Sequence, residues 1–330
     1  MENEGTFVSA PLLSQTSIVM TTTRLLSYLI YLMVGGLVSC SDHPFQPLVT
    51  PGSTANRLRV KTLTLDLPNN QAKVSSFRYD AQGRLSSIVA YQTPDSTVSD
   101  IQYSVYQYDG QNRLTGLRRS VLPYPRPQGN ALNLIEQYTY SYNADGRVSE
   151  ISHSGGLTWR FGYNSAGQLA SGSVSYSHPR FSIQGSLAFT FTGNNLTQTV
   201  GGTSITYQGM PPGTSTGFPG VSTATYTYDD KLNPFYGVFV IPSPFGGPGN
   251  VLLSPSIPTA FFGGIDNVLH LSQNNVLTDI PPSGGFRESI TYQYQYNAVN
   301  LPTVRIKTST APAPNSTVTV ETLRFEYESY

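Results

Sequence analysis

Residues 137–148 read Gln-Tyr-Thr-Tyr-Ser-Tyr-Asn-Ala-Asp-Gly-Arg-Val, and this stretch decides the fold. From Gln137 to Tyr142 polar and aromatic side chains alternate. A period of two puts Tyr138, Tyr140 and Tyr142 on one face of a strand and Gln137, Thr139 and Ser141 on the other. Asn143 can bond forward to the backbone, and Gly146 can take the left-handed conformation that closes a tight turn. Val148 then opens the returning strand. The stretch therefore specifies an antiparallel hairpin with one aromatic face and one polar face.

The pattern recurs: an aromatic, Asp or Asn, two free positions, Gly or Asn, one more position, then Leu or Val. It stands at Tyr79–Leu85, Tyr108–Leu114, Tyr142–Val148 and Tyr163–Leu169, with worn copies starting at Phe191, Tyr228 and Tyr296. Thr291–Tyr296 repeats the strict alternation. So many aromatic faces must bury against one another, which requires the sheet to curve onto itself or to stack. The expected fold is all-β: an antiparallel meander of hairpins forming a curved sheet or a closed or near-closed barrel.

These copies resemble YD repeats, the units of Rhs-type proteins, in which successive hairpins coil into a β-rich shell. The starts at 79, 108, 142 and 163 do not keep one period. The resemblance therefore extends to the repeat unit and not to a toxin capsule. The chain also resembles small Gram-negative lipoproteins that carry degenerate YD units, some of them porin-like in fold. The shared features are Asn233-Pro234-Phe235 after a repeat strand, Ser272-Gln273-Asn274-Asn275 further on, and a closing aromatic strand, Leu323–Tyr330. That resemblance implies a barrel of antiparallel strands and no known activity.

Composition fits a half-wet sheet. Only 12% of the 330 residues are charged, about half the usual ~25%, and 19 bases balance 19 acids. No basic field exists to draw the chain to nucleic acid. Ser, Thr, Asn, Gln and Tyr replace the missing charge, a palette that suits strands rather than a helical bundle.

Cys40 is the sole cysteine and ends the uncharged apolar run Leu25–Val38. Fourteen residues are too few for a spanning helix, which needs roughly 20, but fit the apolar core of an export signal. Arg24 supplies the positive flank. Leu37-Val38-Ser39-Cys40 resembles the lipobox of bacterial lipoproteins, which implies acylation of Cys40 and cleavage before it. Residues 1–39 are read as the signal segment. Met1–Val19 carries Glu2 and Glu4 and no base, so Met20 is the better translation start. Ser41 rather than Asp follows the cysteine, which by the same resemblance favours the outer membrane. Residues 40–57 form the lipidated cysteine and a three-proline tether, its seventeen residues 41–57 spanning about 20–25 Å if flexible. Residues 58–330 are expected to form a single domain, and with the acyl chains as its membrane contact the protein is expected to be a monomer.

Residues 234–286 break the alternation, being rich in Pro and Gly yet apolar. The expectation is an insert packed on the apolar face of the sheet. The alternative is a mobile lip that contacts an apolar ligand, a glycan or an envelope protein. Tyr236, Phe261 and Phe262 in this segment, together with Trp159, are the candidates for ligand contact.

Catalytic chemistry finds little footing. Gly213-Thr214-Ser215-Thr216-Gly217 has the spacing of a nucleophile elbow, but Pro211-Pro212 before it and Phe218-Pro219-Gly220 after it deny the required strand and helix. His43, His153, His178 and His270 have no second ligand at a metal-binding spacing. Asp80, Asp109, Asp229 and Asp230 sit where turns need them, not where calcium would gather roughly 6–8 oxygens. No catalytic residue, metal or cofactor is assigned. The expected role is a non-enzymatic structural or ligand-binding one, with glycan or apolar-ligand binding as one alternative and a hydrolase with an unrecognised carboxylate site as another.

Overall fold

The computed structural model describes residues 52–53, 58–122, 134–209, 222–237, 270–281, 288–312 and 316–330. All belong to one compact unit, Pro44–Tyr330. Cys40, residues 1–39 expected to form a signal segment, Phe261 and Phe262 lie outside the described residues.

The strands are β1 (Gly52–Ser53), β2 (Leu58–Leu67), β3 (Gln71–Tyr79), β4 (Leu85–Thr93), β5 (Ile101–Tyr108) and β6 (Leu114–Leu122). They continue with β7 (Leu134–Tyr142), β8 (Val148–His153), β9 (Thr158–Tyr163), β10 (Leu169–His178), β11 (Phe181–Thr192) and β12 (Asn195–Tyr207). The last are β13 (Ser222–Leu232), β14 (Asn274–Ile280), β15 (Ser289–Tyr296), β16 (Pro302–Thr310) and β17 (Val318–Ser329). Each strand from β2 onward pairs antiparallel with the next. β17 then returns to β2, with Leu323 opposite Leu65 and Ser329 opposite Leu58. The result is a closed sixteen-stranded barrel, and β1 lies outside the ring on Leu58 and Arg59 of β2. Closure leaves the barrel no continuous open edge.

The turns form as the repeat chemistry requires. Asp80 Oδ1 accepts from the Gln82 and Arg84 amides at 3.0 and 2.9 Å, and Gly83, at φ 80°, donates to the Asp80 carbonyl at 2.9 Å. Asn112, Gly146, Gly167 and Asn300 hold the equivalent left-handed position at φ 63°, 76°, 81° and 62°. This is a type I turn followed by a bulge residue, the usual three-residue hairpin connection. These turns all follow odd-numbered strands, so they gather at one end of the barrel, the repeat end.

The apolar residue that closes each repeat turns inward. Leu85, Leu114, Val148, Leu169, Leu196 and Leu301 are at most 1% exposed. Tyr106, Tyr138, Tyr140, Tyr226 and Tyr292 join them in the core. The outer face is polar: Thr139 and Ser141 on β7, Thr225 and Thr227 on β13, and Thr291, Gln293 and Gln295 on β15 are exposed. A membrane-spanning barrel carries the opposite dressing, an apolar band outside and polar groups within. No helix among the described residues is long and apolar enough to cross a membrane.

The interval 234–286 is not one continuous insert. Its residues 274–280 are β14, a strand of the barrel wall between β13 and β15. The alternation in this strand is masked by consecutive buried residues, Asn275 and Val276, which explains why the pattern there did not read as a strand.

Candidate functional site

Trp159 requires a correction. It is 1% exposed, with ring centroids 6.3 Å from Tyr138 and 6.4 Å from His153, so it is core packing and not a platform for an incoming sugar. Tyr236 is half-buried, and its amide donates to the Asn233 carbonyl at 3.1 Å. The structure sets Trp159 on β9 and Tyr236 just after β13.

What it does bring together are the two motifs around β14. Asn233 Oδ1 accepts from the Phe235 amide at 3.0 Å, and its Nδ2 donates to the Ser272 carbonyl at 3.2 Å. The Ser272 hydroxyl bonds Tyr228 Oη at 2.8 Å and accepts from the Leu196 amide at 2.9 Å. Asn195 and Asn274 exchange two bonds: Asn195 Nδ2 donates to Asn274 Oδ1 at 2.9 Å, and the Asn274 amide donates to Asn195 Oδ1 at 3.0 Å. Asp229 is the hub of this clasp. Its carboxylate accepts from the amides of Lys231 and Asn275 at 2.9 and 3.1 Å, and from the Tyr296 hydroxyl. Burial, with the Asp229 carboxylate next, pushes the Tyr296 phenol well above its ordinary range, so it remains a donor.

Phe235 anchors the clasp in the core, stacked on His270 at 4.9 Å and near Phe77 and Phe325. The adjoining cavity, lined by Phe235, His270, Asn275, Tyr294, Arg305 and Phe325 among others, has room for about one water at ≈ 20 Å³. The clasp ties together the chain on both sides of residues 238–269. Its groups are satisfied by one another, which is the chemistry of a fastener.

A second polar cluster lies inside the barrel. Arg119 on β6 donates to Glu136 on β7 and to Gln102 on β5, both at 2.8 Å, with Arg119 3% and Glu136 4% exposed. The sequence reading missed this pair, although parity marks it. Arg119 shares a face with Leu117 and Val121, and Glu136 with Tyr138 and Tyr140. One register step away, Tyr138 lies opposite His153. His153 Nδ1 accepts from the Gly155 amide at 3.0 Å, so the neutral ring carries its proton on Nε2. Burial lowers the His153 pKa, Glu136 opposing and Arg119 reinforcing the effect. Ser75 Oγ, Tyr106 Oη, Tyr138 Oη and His153 Nε2 are buried without a partner among the described residues.

Neither cluster offers a reactive acid to solvent. Glu136 is neutralised by Arg119 and sealed, and Asp229 is taken up by amides and Tyr296. Among the described residues no group of three or more His, Cys, Asp or Glu side chains is placed to hold a metal.

The fold and its turns define a class, a closed antiparallel barrel wound from aromatic hairpin repeats. Comparison with known proteins agrees on the unit: residues 137–177 match the RHS Repeat family model, so the chain carries RHS (YD) repeats. No curated protein matches it. Among solved structures it is similar to a porin-like protein from Bacteroides uniformis ATCC 8492, at 12% identity and a TM-score of 0.41, covering 86% of this chain and 100% of that one. A porin-like protein from Bacteroides vulgatus ATCC 8482 is 13% identical with a TM-score of 0.35, covering 82% of this chain and 98% of that one. The TcdB2-TccC3 structure is 12% identical with a TM-score of 0.30, covering 78% of this chain and 14% of that one.

Proposed function

We propose that this chain is a lipid-anchored protein of the cell envelope, held at the outer membrane through Cys40, whose barrel is a solid non-enzymatic body and not a pore. The observation that carries the reading is the dressing of the wall. Tyr226 and Tyr292 face the interior, while Thr225, Thr227, Gln293 and Gln295 face solvent. A wall dressed this way is stable in water, so the membrane has to be reached by an anchor. The lipobox-like Leu37–Cys40 supplies one, and two or more acyl chains suffice for stable attachment. The glycan-binding alternative is weakened by the burial of Trp159.

Two measurements test this. Cys40→Ala should abolish incorporation of a labelled fatty acid and move the chain from the membrane fraction to the soluble one. The chain from Ser41 onward should give no conductance steps in planar bilayers. Membrane retention without acylation, or steady unitary currents, would overturn the proposal.

A further inference from the structure

One corner at the end of the barrel opposite the repeat turns copies their chemistry with a different side chain. In the repeat turns Asp80, Asp109 and Asn143 each accept, through Oδ1, the amide two residues on. The donors are Gln82, Gln111 and Asp145, at 3.0, 2.9 and 3.1 Å. Between β8 and β9 the chain runs His153-Ser154-Gly155-Gly156-Leu157. The His153 amide donates to the Leu157 carbonyl at 2.8 Å, and Gly156, at φ 90°, donates to the His153 carbonyl at 2.9 Å. These are the backbone bonds of the repeat turn. The amide two residues on, Gly155, donates to His153 Nδ1 at 3.0 Å. An imidazole thus stands where the repeat turns use a carboxylate or an amide oxygen. Alone of the three, it loses its acceptor when it takes up a proton in mild acid.

The surroundings give that proton no other home. The His153 ring is 7% exposed. From β7, Tyr138 lies 4.8 Å away between ring centroids, with Glu136 at the next inward position. From β6 comes Arg119, and from β9 the uncharged ring of Trp159 at 6.4 Å. Glu136 favours a charged ring, but it is held by Arg119, which opposes one. His153 Nε2 is buried with no partner among the described residues, so a charged ring gains no hydrogen bond there. Tyr176 of β10 rests on the corner itself, where a Cβ at Gly156 would meet its ring at 3.4 Å. Tyr176 in turn stacks on His178 at 6.3 Å and packs on Phe181 at 5.6 Å, and Phe181 packs on Tyr207 at 6.2 Å. The ladder behind the corner is short: Glu150 opposite Arg160, Ile151 opposite Trp159, and Ser152 opposite Thr158.

We infer that His153 is an acid-sensitive latch, whose protonation releases the Gly155 amide and opens the corner between β8 and β9. A proton on Nδ1 sets donor against donor, and the charged ring is accommodated only by turning out to water. That movement removes the support beneath Tyr176, the first ring of the row that runs through His178 and Phe181 to Tyr207. The open corner binds the proton and the closed one does not. Opening is therefore favoured as the pH falls below ~6.5, the ordinary imidazole value, and suppressed above it. Burial acts in the same direction, since it lowers the His153 pKa in the closed form.

Amide hydrogen exchange on the chain from Ser41 onward, read by NMR at about pH 7.5 and about pH 5 and corrected for the intrinsic rate, tests the inference. Opening at Gly155 and Gly156 should rise at least about tenfold on acidification. About thirtyfold is the ceiling for one imidazole that titrates near pH ~6.5 when open and stays neutral when closed. His153→Asn supplies the acceptor found at Asn143 and should hold the corner equally at both pH values. It leaves His178 in place, so it separates the two imidazoles. Unchanged protection in the wild type, or an acid response at Gly155 and Gly156 that persists in His153→Asn, would overturn the inference. So would an acid-induced loss shared evenly by β4 to β6, because the whole barrel would then be opening and not one corner. That last comparison needs only the wild type, should the variant fail to fold.

Discussion

The hydroxyl of Tyr142 donates to the carbonyl oxygen of Leu114 at 2.7 Å, joining one hairpin repeat to the one before it. Leu114 is itself the closing residue of that earlier repeat. The same bond runs from Tyr108 to Leu85 and from Tyr163 to Val148, each at 2.6 Å, from Tyr327 to Pro302 at 2.8 Å, and from Tyr228 to Leu196. The arginine of each repeat lies over the next tyrosine: Arg84 is 4.4 Å from the Tyr108 ring, Arg113 4.9 Å from Tyr142, and Arg147 5.5 Å from Tyr163. The recurring geometry of the repeat end is therefore a relay, in which each unit's tyrosine grips the backbone of its predecessor and accepts its predecessor's cation.

Tyr142→Phe removes the bond and keeps the ring under Arg113. The expected loss is about 1 kcal/mol, the net worth of one such hydrogen bond. Tyr142→Ala should cost about 3–5 kcal/mol, because it also opens a cavity and strips the cation of its partner. Urea midpoints at constant slope would measure both. Equal midpoints for wild type and Tyr142→Phe would show that the relay contributes nothing.

The turns give a second contrast. Gly146 and Gly167 hold nearly the same left-handed backbone, φ 76° and 81°. A Cβ at Gly146 meets nothing within 4 Å, whereas at Gly167 it would sit 2.5 Å from Arg147 Nη2. Gly146→Ala should cost about 1–2 kcal/mol from the backbone alone. Gly167→Ala should cost more, because the Arg147 guanidinium must leave its place near the Tyr163 ring. Thermal melts of the two variants decide it, and the reverse order would refute the assignment of Arg147.

The alternation at Gln137–Tyr142 and the Asn143–Gly146 turn made the hairpins legible, since a period of two and a left-handed glycine leave few other structures. The inward face followed from the same parity. Closure did not, because the ladder between β17 and β2 joins residues more than 250 positions apart and no local pattern encodes it. Trp159 shares parity with Phe161, which places it inside, but a lone Trp invites a surface reading when the neighbouring Arg160 is exposed. The clasp was half legible: both motifs were recognised, but their meeting through Asn233 and Ser272 depends on a fold-back outside any local repeat.

The buried pair of Arg119 and Glu136 should behave as a unit. Glu136→Gln leaves a guanidinium without its counter-charge in the core and should cost about 3–5 kcal/mol. The double replacement Arg119→Met with Glu136→Leu removes both charges and should recover most of that loss. Chemical denaturation of the two single variants and the double variant forms a cycle. Additive losses would show that the two side chains do not depend on each other.

Alkali should unfold the barrel in one cooperative step. Burial pushes the phenols of Tyr79, Tyr108, Tyr142 and Tyr163 above their ordinary range, and it does the same at Tyr106, Tyr138 and Tyr140. In the unfolded chain these groups titrate near pH ~10. A folded pKa above the unfolded one gives stability that is fully present below the unfolded value and is lost as the pH climbs beyond it, since only the unfolded chain can release those protons. Above pH ~10 each buried tyrosine therefore adds to the drive toward unfolding. Phenolate absorbance from this set should rise together with the loss of β-sheet circular dichroism, over one narrow interval. Gradual ionisation of the full complement of tyrosines with the sheet signal intact would mean that their hydroxyls are open to water, and the relay from Tyr142 to Leu114 could not then hold.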